Sequence, residues 1–244
     1  MSEVTTKFGP HERPHVSSAV EDYAKAIYSL ETRSGEPVSI TMLAERLGVT
    51  AASASGMVKR LAKRRLVRHE RYYGVSLTAD GMRVALQVLR HHRLLERYLV
   101  EELGMPWDQV HREADVLEHV LSEELEALIA AKLGHPTRDP HGDPIPTAEL
   151  EIDEGVTWSL DALEPGATGV LVRVSDSDPE MLRYLAGLGI APGDRLEVLD
   201  RQPFGGPLSV RFGKAVQTLG TGLARALRIE RTRSQRTRSQ GDPA

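Results

Sequence analysis

The chain has 244 residues and no cysteine. This absence excludes disulfides, zinc–thiolate sites and iron–sulfur clusters, so histidine and carboxylate side chains must hold any bound metal. Long apolar runs are also lacking: none approaches the roughly 18 residues of a membrane span, and residues 1–15 contain no apolar signal core. We therefore expect a cytoplasmic protein with no membrane partner.

The chain also lacks an overall positive charge. Its formal net charge is -4, which argues against a uniformly basic nucleic-acid binder. Affinity for DNA depends on a local basic surface rather than on the total charge, however. Between Lys59 and Arg71 the basic residues far outnumber the acids, so this segment is locally positive.

Residues 39–63 have the pattern of a helix-turn-helix. Small Ala44 allows the two helices to cross closely, and Gly48 supplies a turn conformation that other residues resist. The second helix exposes short side chains first, which suit base edges, and basic ones later, which suit phosphates. The candidate DNA-binding residues are Thr50, Ala52, Ser53, Ser55, Lys59, Arg60 and Lys63.

Residues 66–77 form two short alternating segments about a turn, which predicts the β-hairpin of a winged helix. Winged helices can also serve as plain protein-interaction modules. The basic second helix favours DNA binding over that alternative.

Two predicted helices between residues 78 and 126 carry imidazoles and carboxylates three or four positions apart, which places each set on one side of its helix. On the first, His92 and Glu96 interrupt an apolar stripe, and buried polar groups need partners. A hydrogen bond across one helical turn would satisfy that pair, but the second helix adds enough ligands for two metal sites. The six candidates are His92, Glu96, His111, Asp115, Glu118 and His119.

Two further acidic segments have ordinary structural explanations. Asp22, on the first helix, is suitably placed to complement the helix dipole. The run from Asp139 to Pro146 (DPHGDPIP) could be a metal loop, but its prolines favour a rigid turn.

Beyond about Thr147 short alternating or apolar runs separated by glycine and proline predict a small SH3-like β-barrel. Asp176, Asp178 and Glu180 cluster where a helix begins in this part; they are ordinary helix-start residues that could also reach a metal. The predicted fold is therefore mainly α with a C-terminal β domain. Its parts are a winged helix-turn-helix domain (1–77), a helical metal-binding and dimerisation domain (78–147), a linker (148–164), an SH3-like, FeoA-like domain (165–231) and a disordered basic tail (232–244).

The chain from Ser18 to Arg231 resembles the DtxR/MntR family of metal-dependent repressors in its three-domain form. Several separated motifs carry this resemblance in the right order. They are Glu21-Asp22-Tyr23, His91-His92-Arg93-Leu94-Leu95-Glu96 and Val110-His111-Arg112-Glu113-Ala114-Asp115 followed by Glu118-His119.

The resemblance implies two metal sites per subunit and assigns residues to each. The primary, regulatory site would contain Asp22, Asp115, Glu118 and His119. The ancillary site would contain His92, Glu96 and His111, completed from the SH3-like domain, where Asp178 or Glu180 is the nearest match.

The resemblance also indicates the metal. Iron-responsive members carry methionine and cysteine at the places of Asp22 and Asp115, whereas manganese-responsive members carry carboxylates there. Carboxylate and imidazole suit Mn²⁺, and no soft sulfur ligand is offered at these positions. The sequence thus predicts a homodimeric, Mn(II)-activated repressor of manganese homeostasis that binds a DNA operator, with Fe(II) as the alternative corepressor.

An enzyme is the more distant alternative. A metallohydrolase would need an open coordination position and a general base, and the sequence contains no HExxH or other recognised catalytic motif. We therefore expect no enzymatic activity.

Overall fold

The computed structural model describes residues 16–70 and 72–232. The chain divides into two compact units, Met1–Val88 and Leu89–Ala244. Within the described ranges no helix combines the length and apolarity needed to cross a bilayer. The predicted basic tail, apart from Thr232, lies outside the described residues.

The first unit contains the predicted helix-turn-helix and wing. Gly48, with φ 63°, ends the second helix in the left-handed region, and Thr50 caps the third by accepting a hydrogen bond from the Ser53 N–H. The wing is an antiparallel hairpin, and Val38 adds a bridge to Val75. The elements are α1 (Ser18–Ser34), α2 (Ile40–Leu47), α3 (Ala51–Lys63), β1 (Val67–Glu70) and β2 (Gly74–Leu77).

Three helices supply the candidate metal ligands. The long α4 (Ala79–Glu101) begins after Thr78, whose hydroxyl accepts a hydrogen bond from the Gly81 N–H, and it runs through the boundary between the units. α5 (Val110–Leu117) is shorter than the sequence suggests, so Glu118 and His119 follow it rather than lie on it. α6 spans Glu123–Lys132.

An antiparallel sheet of six strands, in the order β3-β8-β4-β5-β6-β7, forms the C-terminal part of the second unit. Its core is mostly aliphatic, with Phe212 as a buried aromatic residue, and it includes Leu160 and Leu163. These two residues lie in the predicted linker (148–164), so the end of that segment belongs to the β domain. The elements are β3 (Trp158–Ser159), a 3₁₀ turn (Leu160–Ala162), β4 (Thr168–Val174), α7 (Pro179–Gly187), β5 (Arg195–Arg201), β6 (Leu208–Phe212), β7 (Ala215–Leu219), α8 (Thr221–Ala226) and β8 (Leu227–Arg231).

Candidate metal centre

The ancillary residues converge inside the second unit. Nε2 of His92 lies 2.9 Å from Oε1 of Glu96 and 3.0 Å from Nδ1 of His111. The same Nδ1 is 3.1 Å from Oε1 of Glu96. His92 and Glu96 are buried, as expected for polar residues on the apolar stripe of α4, while His111 reaches them from α5.

The β domain contributes Asp176 to this group. Its Oδ2 lies 3.1 Å from Nδ1 of His111, and Asp176 clusters with His92, Glu96 and His111 in ligand geometry. The structure does not place Asp178 or Glu180, the residues favoured from the sequence, in this cluster. Asp178 caps α7 instead, with its carboxylate accepting hydrogen bonds from the N–H groups of Glu180 and Met181, and both acids are exposed.

The sequence contains the signal that separates these acids. Pro179 occupies the first turn of α7, where proline is favoured because its missing N–H has no helical partner to lose. The residue before it is then the N-cap, and Asp is one of the preferred caps. The Asp178 carboxylate is therefore engaged in the helix cap, whereas Asp176 can turn towards α5.

The acids and the imidazole of this cluster have strongly shifted pKa values. Burial raises the pKa of Asp176, but the hydrogen bond and charge of His111 outweigh it and lower the pKa to about 2. Burial lowers the pKa of His111, but the hydrogen bonds to Asp176 and Glu96 and the nearby negative charge outweigh burial and raise the pKa to about 10. Burial also raises the pKa of Glu96, but the neighbouring histidines, with His92 first, bring it well below its usual range. At neutral pH the cluster therefore contains a protonated His111 between carboxylates.

The donor set fits a divalent cation better than it fits a proton. Nδ1 of His111 faces three donor or acceptor atoms at 3.0–3.1 Å, and one ring nitrogen carries at most one hydrogen. Oε2 of Glu96 is buried and has no hydrogen-bond partner among the described residues. Two imidazoles and two carboxylates that converge in this way are suitable ligands for Mn²⁺ or Fe²⁺, and a bound ion would displace the proton from His111.

A second group lies beside the first within the same unit. Nδ1 of His92 is 2.6 Å from Oε2 of Glu118 and 3.4 Å from Oδ1 of Asp115, and Nε2 of His119 is 3.6 Å from Oε1 of Glu118. Glu118 is buried, whereas the side chain of Asp115 is 45% exposed. Asp115 and His119 therefore each lie near Glu118, and all three belong to the predicted primary set. Asp22 is on α1 of the first unit, where it is partly exposed.

The His92 ring lies between the two groups. Its Nε2 faces Glu96 and its Nδ1 faces Glu118, so each ring nitrogen contacts a carboxylate of a different set. A metal bound at one nitrogen fixes the proton on the other. His92 thereby links the ancillary group to the primary one.

The segment from Asp139 to Pro146 forms the expected tight turn, closed by a bridge between Arg138 and Pro144. Sequence reasoning missed that His141 is fully buried beside Glu96, with Nδ1 3.6 Å from Oε2. Nothing in its local pattern signals this contact, because Glu96 lies on a helix far away in the chain.

The predicted DNA-binding surface is formed by α3. Lys59, Arg60 and Lys63 are exposed, as phosphate contacts require, whereas Ser55 is half-buried. The Thr50 hydroxyl donates a hydrogen bond to the Ser53 hydroxyl at 3.0 Å, so both side chains also serve the helix cap.

Comparison with known proteins identifies each domain. Residues 15–75 match the N-terminal DNA-binding domain of iron-dependent repressors, and residues 78–147 match the metal-binding and dimerisation domain of that family. Residues 158–231 match the FeoA domain, which is SH3-like. The FeoA match begins at Trp158, where the β domain begins in the structure.

Relatives along most of the chain include both iron- and manganese-dependent repressors. The iron-dependent repressor IdeR of Mycobacterium tuberculosis (strain ATCC 25618 / H37Rv) is 34% identical over 223 residues, which are 86% of this chain and 96% of IdeR. A solved manganese-dependent transcriptional repressor in complex with manganese is 46% identical, with a TM-score of 0.83, over 87% of this chain and 100% of the other. The manganese regulator SloR is 31% identical, with a TM-score of 0.73, over 87% and 98%. The chain therefore belongs to the DtxR family of metal-dependent, DNA-binding transcriptional repressors.

Proposed function

We propose that the protein is a homodimeric repressor that Mn(II) activates as corepressor, and that it controls manganese homeostasis in the cytoplasm. The observation that carries this proposal is the chemistry of the candidate ligands, all of which are carboxylates or imidazoles. Such ligands suit Mn²⁺, and the chain has no cysteine with which to favour a softer metal.

The relatives support both manganese and one alternative. The similar solved structures include manganese-dependent repressors at 46% and 31% identity, which favours Mn(II). IdeR, an iron-dependent repressor, is 34% identical. An iron(II)-responsive repressor is therefore the second candidate.

We propose two ions per subunit. The ancillary ion would be held by His92, Glu96, His111 and Asp176. Asp176 replaces Asp178 and Glu180 in this set because its Oδ2 lies 3.1 Å from Nδ1 of His111. Asp115, Glu118, His119 and Asp22 would hold the primary ion. Each bound cation would offset the negative charge of the carboxylates in its own ligand set.

The switch lies in the distribution of the primary ligands. Asp22 belongs to the unit that carries α3, whereas Asp115, Glu118 and His119 belong to the other unit. One ion bound by residues of both units would hold the two units in one relative placement. That placement would set the spacing of the two winged helices of a dimer on successive major grooves. Without that link the winged helices bind an operator weakly.

The dimer surface that we propose lies on α5, α6 and the turn between them. Several large apolar side chains are exposed in this part, an arrangement that a symmetric dimer would bury. They are Val116, Leu117, Val120, Leu125 and Leu128.

A footprint on the gene's own upstream region tests the proposed function. We expect protection of a symmetric site when Mn²⁺ is present and its loss when a chelator removes the metal. Protection that is the same with and without metal would contradict a corepressor role.

Asp176→Ala tests the ancillary site. We expect the affinity for the ancillary ion, which we call the second Mn²⁺, to fall about 10- to 100-fold, the size of loss seen when groups supporting a metal are removed. Equilibrium titration followed by the electron paramagnetic resonance signal of free Mn²⁺ measures it.

Asp178→Ala is the matched control. It removes an acid only two residues away but should cost only about 1 kcal/mol of stability through the lost helix cap, with Mn²⁺ binding unchanged. If Asp178→Ala weakened Mn²⁺ binding and Asp176→Ala did not, the assignment of Asp176 would be wrong.

A further inference from the structure

The turn formed by residues 139–143, which we call the docking turn, lies between the metal ligands of α4 and strand β4. It does not belong to either proposed ligand set. Asp139 holds its shape, because Oδ1 accepts hydrogen bonds from the N–H groups of His141 and Asp143 at 2.8 and 2.9 Å. The docking turn is therefore held together by its own hydrogen bonds, and it has two faces.

One face contacts the ancillary site. Nδ1 of His141 lies 3.6 Å from Oε2 of Glu96, and neither atom has a hydrogen-bond partner among the described residues. Nε2 of His141 donates a hydrogen bond to the Trp107 carbonyl at 2.8 Å, and the two rings stack with centroids 5.7 Å apart. The imidazole is thus held against the Glu96 oxygen that faces away from His92 and His111.

The other face contacts the end of β4. The Val174 N–H donates to the His141 carbonyl at 2.8 Å, and Nε of Arg173 lies 3.2 Å from Oδ1 of Asp143. At Gly142 the backbone approaches so closely that a Cβ would lie 1.9 Å from the Val172 carbonyl oxygen, and its φ of +89° also disfavours other residues. Only glycine allows this contact.

The distance along the chain from this contact to the metal site is short. β4 ends at Val174, and Asp176 follows two residues later. Because Asp176 is only two residues from Val174, the contact between the docking turn and Val174 also restricts the backbone position from which Asp176 reaches His111. On its opposite face the same docking turn supports Glu96.

We propose that the docking turn positions the ancillary site: His141 and Gly142 bring Glu96 of the helical domain and Asp176 of the FeoA domain into one ligand set. This inference rests on the proposed function, because it assumes that the ancillary residues bind Mn²⁺. His141 and Gly142 act through Glu96 and Asp176 and are positioning residues, not ligands.

Gly142→Ala is the main test, with Gly155→Ala as its control. Both glycines have positive φ, but a Cβ at Gly155 would meet nothing within 4 Å, so the control reproduces the backbone strain without the clash. We expect Gly142→Ala to weaken binding of the second Mn²⁺ about 10- to 100-fold in the full-length protein. Gly155→Ala should leave it unchanged.

A double-mutant cycle separates positioning from general destabilisation. If the docking turn acts through its ligands, Gly142→Ala should weaken binding of the second Mn²⁺ less in the Asp176→Ala background than in the wild type, because one of the two ligands that the turn positions is already missing. If the losses of Mn²⁺ affinity caused by the two substitutions were fully additive, the docking turn would not act through Asp176.

Fluorescence of Trp107 provides a readout that needs no metal. The chain has two tryptophans, so Trp158→Phe leaves Trp107 as the single reporter of the docking turn. In that background Gly142→Ala should shift the emission of the metal-free protein, because it displaces His141 from the Trp107 ring. An unchanged emission would show that the turn stays docked, against the proposal.

His141→Phe is a second variant in case Gly142→Ala does not fold. It keeps a ring against Trp107 but removes both nitrogens, and we expect a weaker second Mn²⁺ here too. A second Mn²⁺ that binds equally well to wild type and both variants would overturn the positioning role alone. If the wild type bound no second Mn²⁺, the proposed ancillary site would itself be wrong, and the positioning role with it.

Discussion

Asp22→Ala is expected to abolish Mn²⁺-dependent operator binding, with a loss of at least about 100-fold at saturating Mn²⁺. Asp22 is the only member of the proposed primary set that the DNA-binding unit supplies. Loss of groups that merely support a metal already costs about 10- to 100-fold, and a ligand should cost no less. A gel-shift titration measures the effect, and gel filtration should show an intact dimer.

Glu21→Ala is the matched control for this variant. It removes one negative charge from the neighbouring position of the same helix turn, and both side chains are partly exposed. We expect it to retain Mn²⁺-dependent binding. Operator binding by Asp22→Ala at the wild-type level would show that the switch does not depend on this carboxylate.

Arg90→Met is expected to lower the free energy of unfolding by about 3–5 kcal/mol, the cost of breaking a buried ion pair from one side. Nε of Arg90 lies 2.5 Å from Oε1 of buried Glu126, and Nη1 donates to the Pro146 carbonyl at 2.6 Å. His91 contacts the other Glu126 oxygen at 2.8 Å. Burial raises the pKa of Glu126, but His91 and Arg90 lower it overall, so the carboxylate is charged and needs this arginine.

Two further variants test whether the effect of Arg90→Met comes from breaking a buried ion pair. Arg211→Met removes one partner of an exposed cross-strand pair with Glu197 and should cost no more than about 1 kcal/mol. Adding Glu126→Leu to Arg90→Met removes the buried carboxylate that has lost its arginine, and it should recover part of the lost free energy of unfolding. Denaturant unfolding at one fixed protomer concentration measures all three, since dimer stability depends on concentration. A loss below about 1 kcal/mol for Arg90→Met would contradict the buried pair.

Local patterns predicted much of this molecule because local physics decides it. Gly48 and the apolar stripes of α2 and α3 predicted the helix-turn-helix, and the confirmed fold class followed from the change to alternating strands after Thr147. His92 and Glu96 stood out because two polar residues interrupted a buried stripe, and both are buried in the structure. Helical spacing, strand alternation and one turn glycine, all local signals, were sufficient for these assignments.

Contacts between distant segments were harder to predict. Asp176 was passed over in favour of Asp178 and Glu180 because three nearby acids offer the same chemistry, and only the cap of α7 distinguishes them. The segment that contains the docking turn does form a turn, as the sequence predicts, but periodicity carries no information about which helix a buried His141 faces. Its partner Glu96 lies on α4, and only the folded chain brings them within 3.6 Å.

Metal selectivity is the central claim, and one measurement tests it directly. The protein's affinity for its own upstream DNA should be measured anaerobically with Mn²⁺ and with Fe²⁺ at equal free concentrations in the range found in cells. Mn²⁺ ranks below Fe²⁺ in intrinsic affinity for carboxylate and imidazole ligands, so selection of manganese must come from the geometry and occupancy of the two sites. If the sites select manganese in this way, Mn²⁺ should produce tight binding at free concentrations at which Fe²⁺ does not. Equal or stronger activation by Fe²⁺ would contradict the account and identify an iron-responsive repressor.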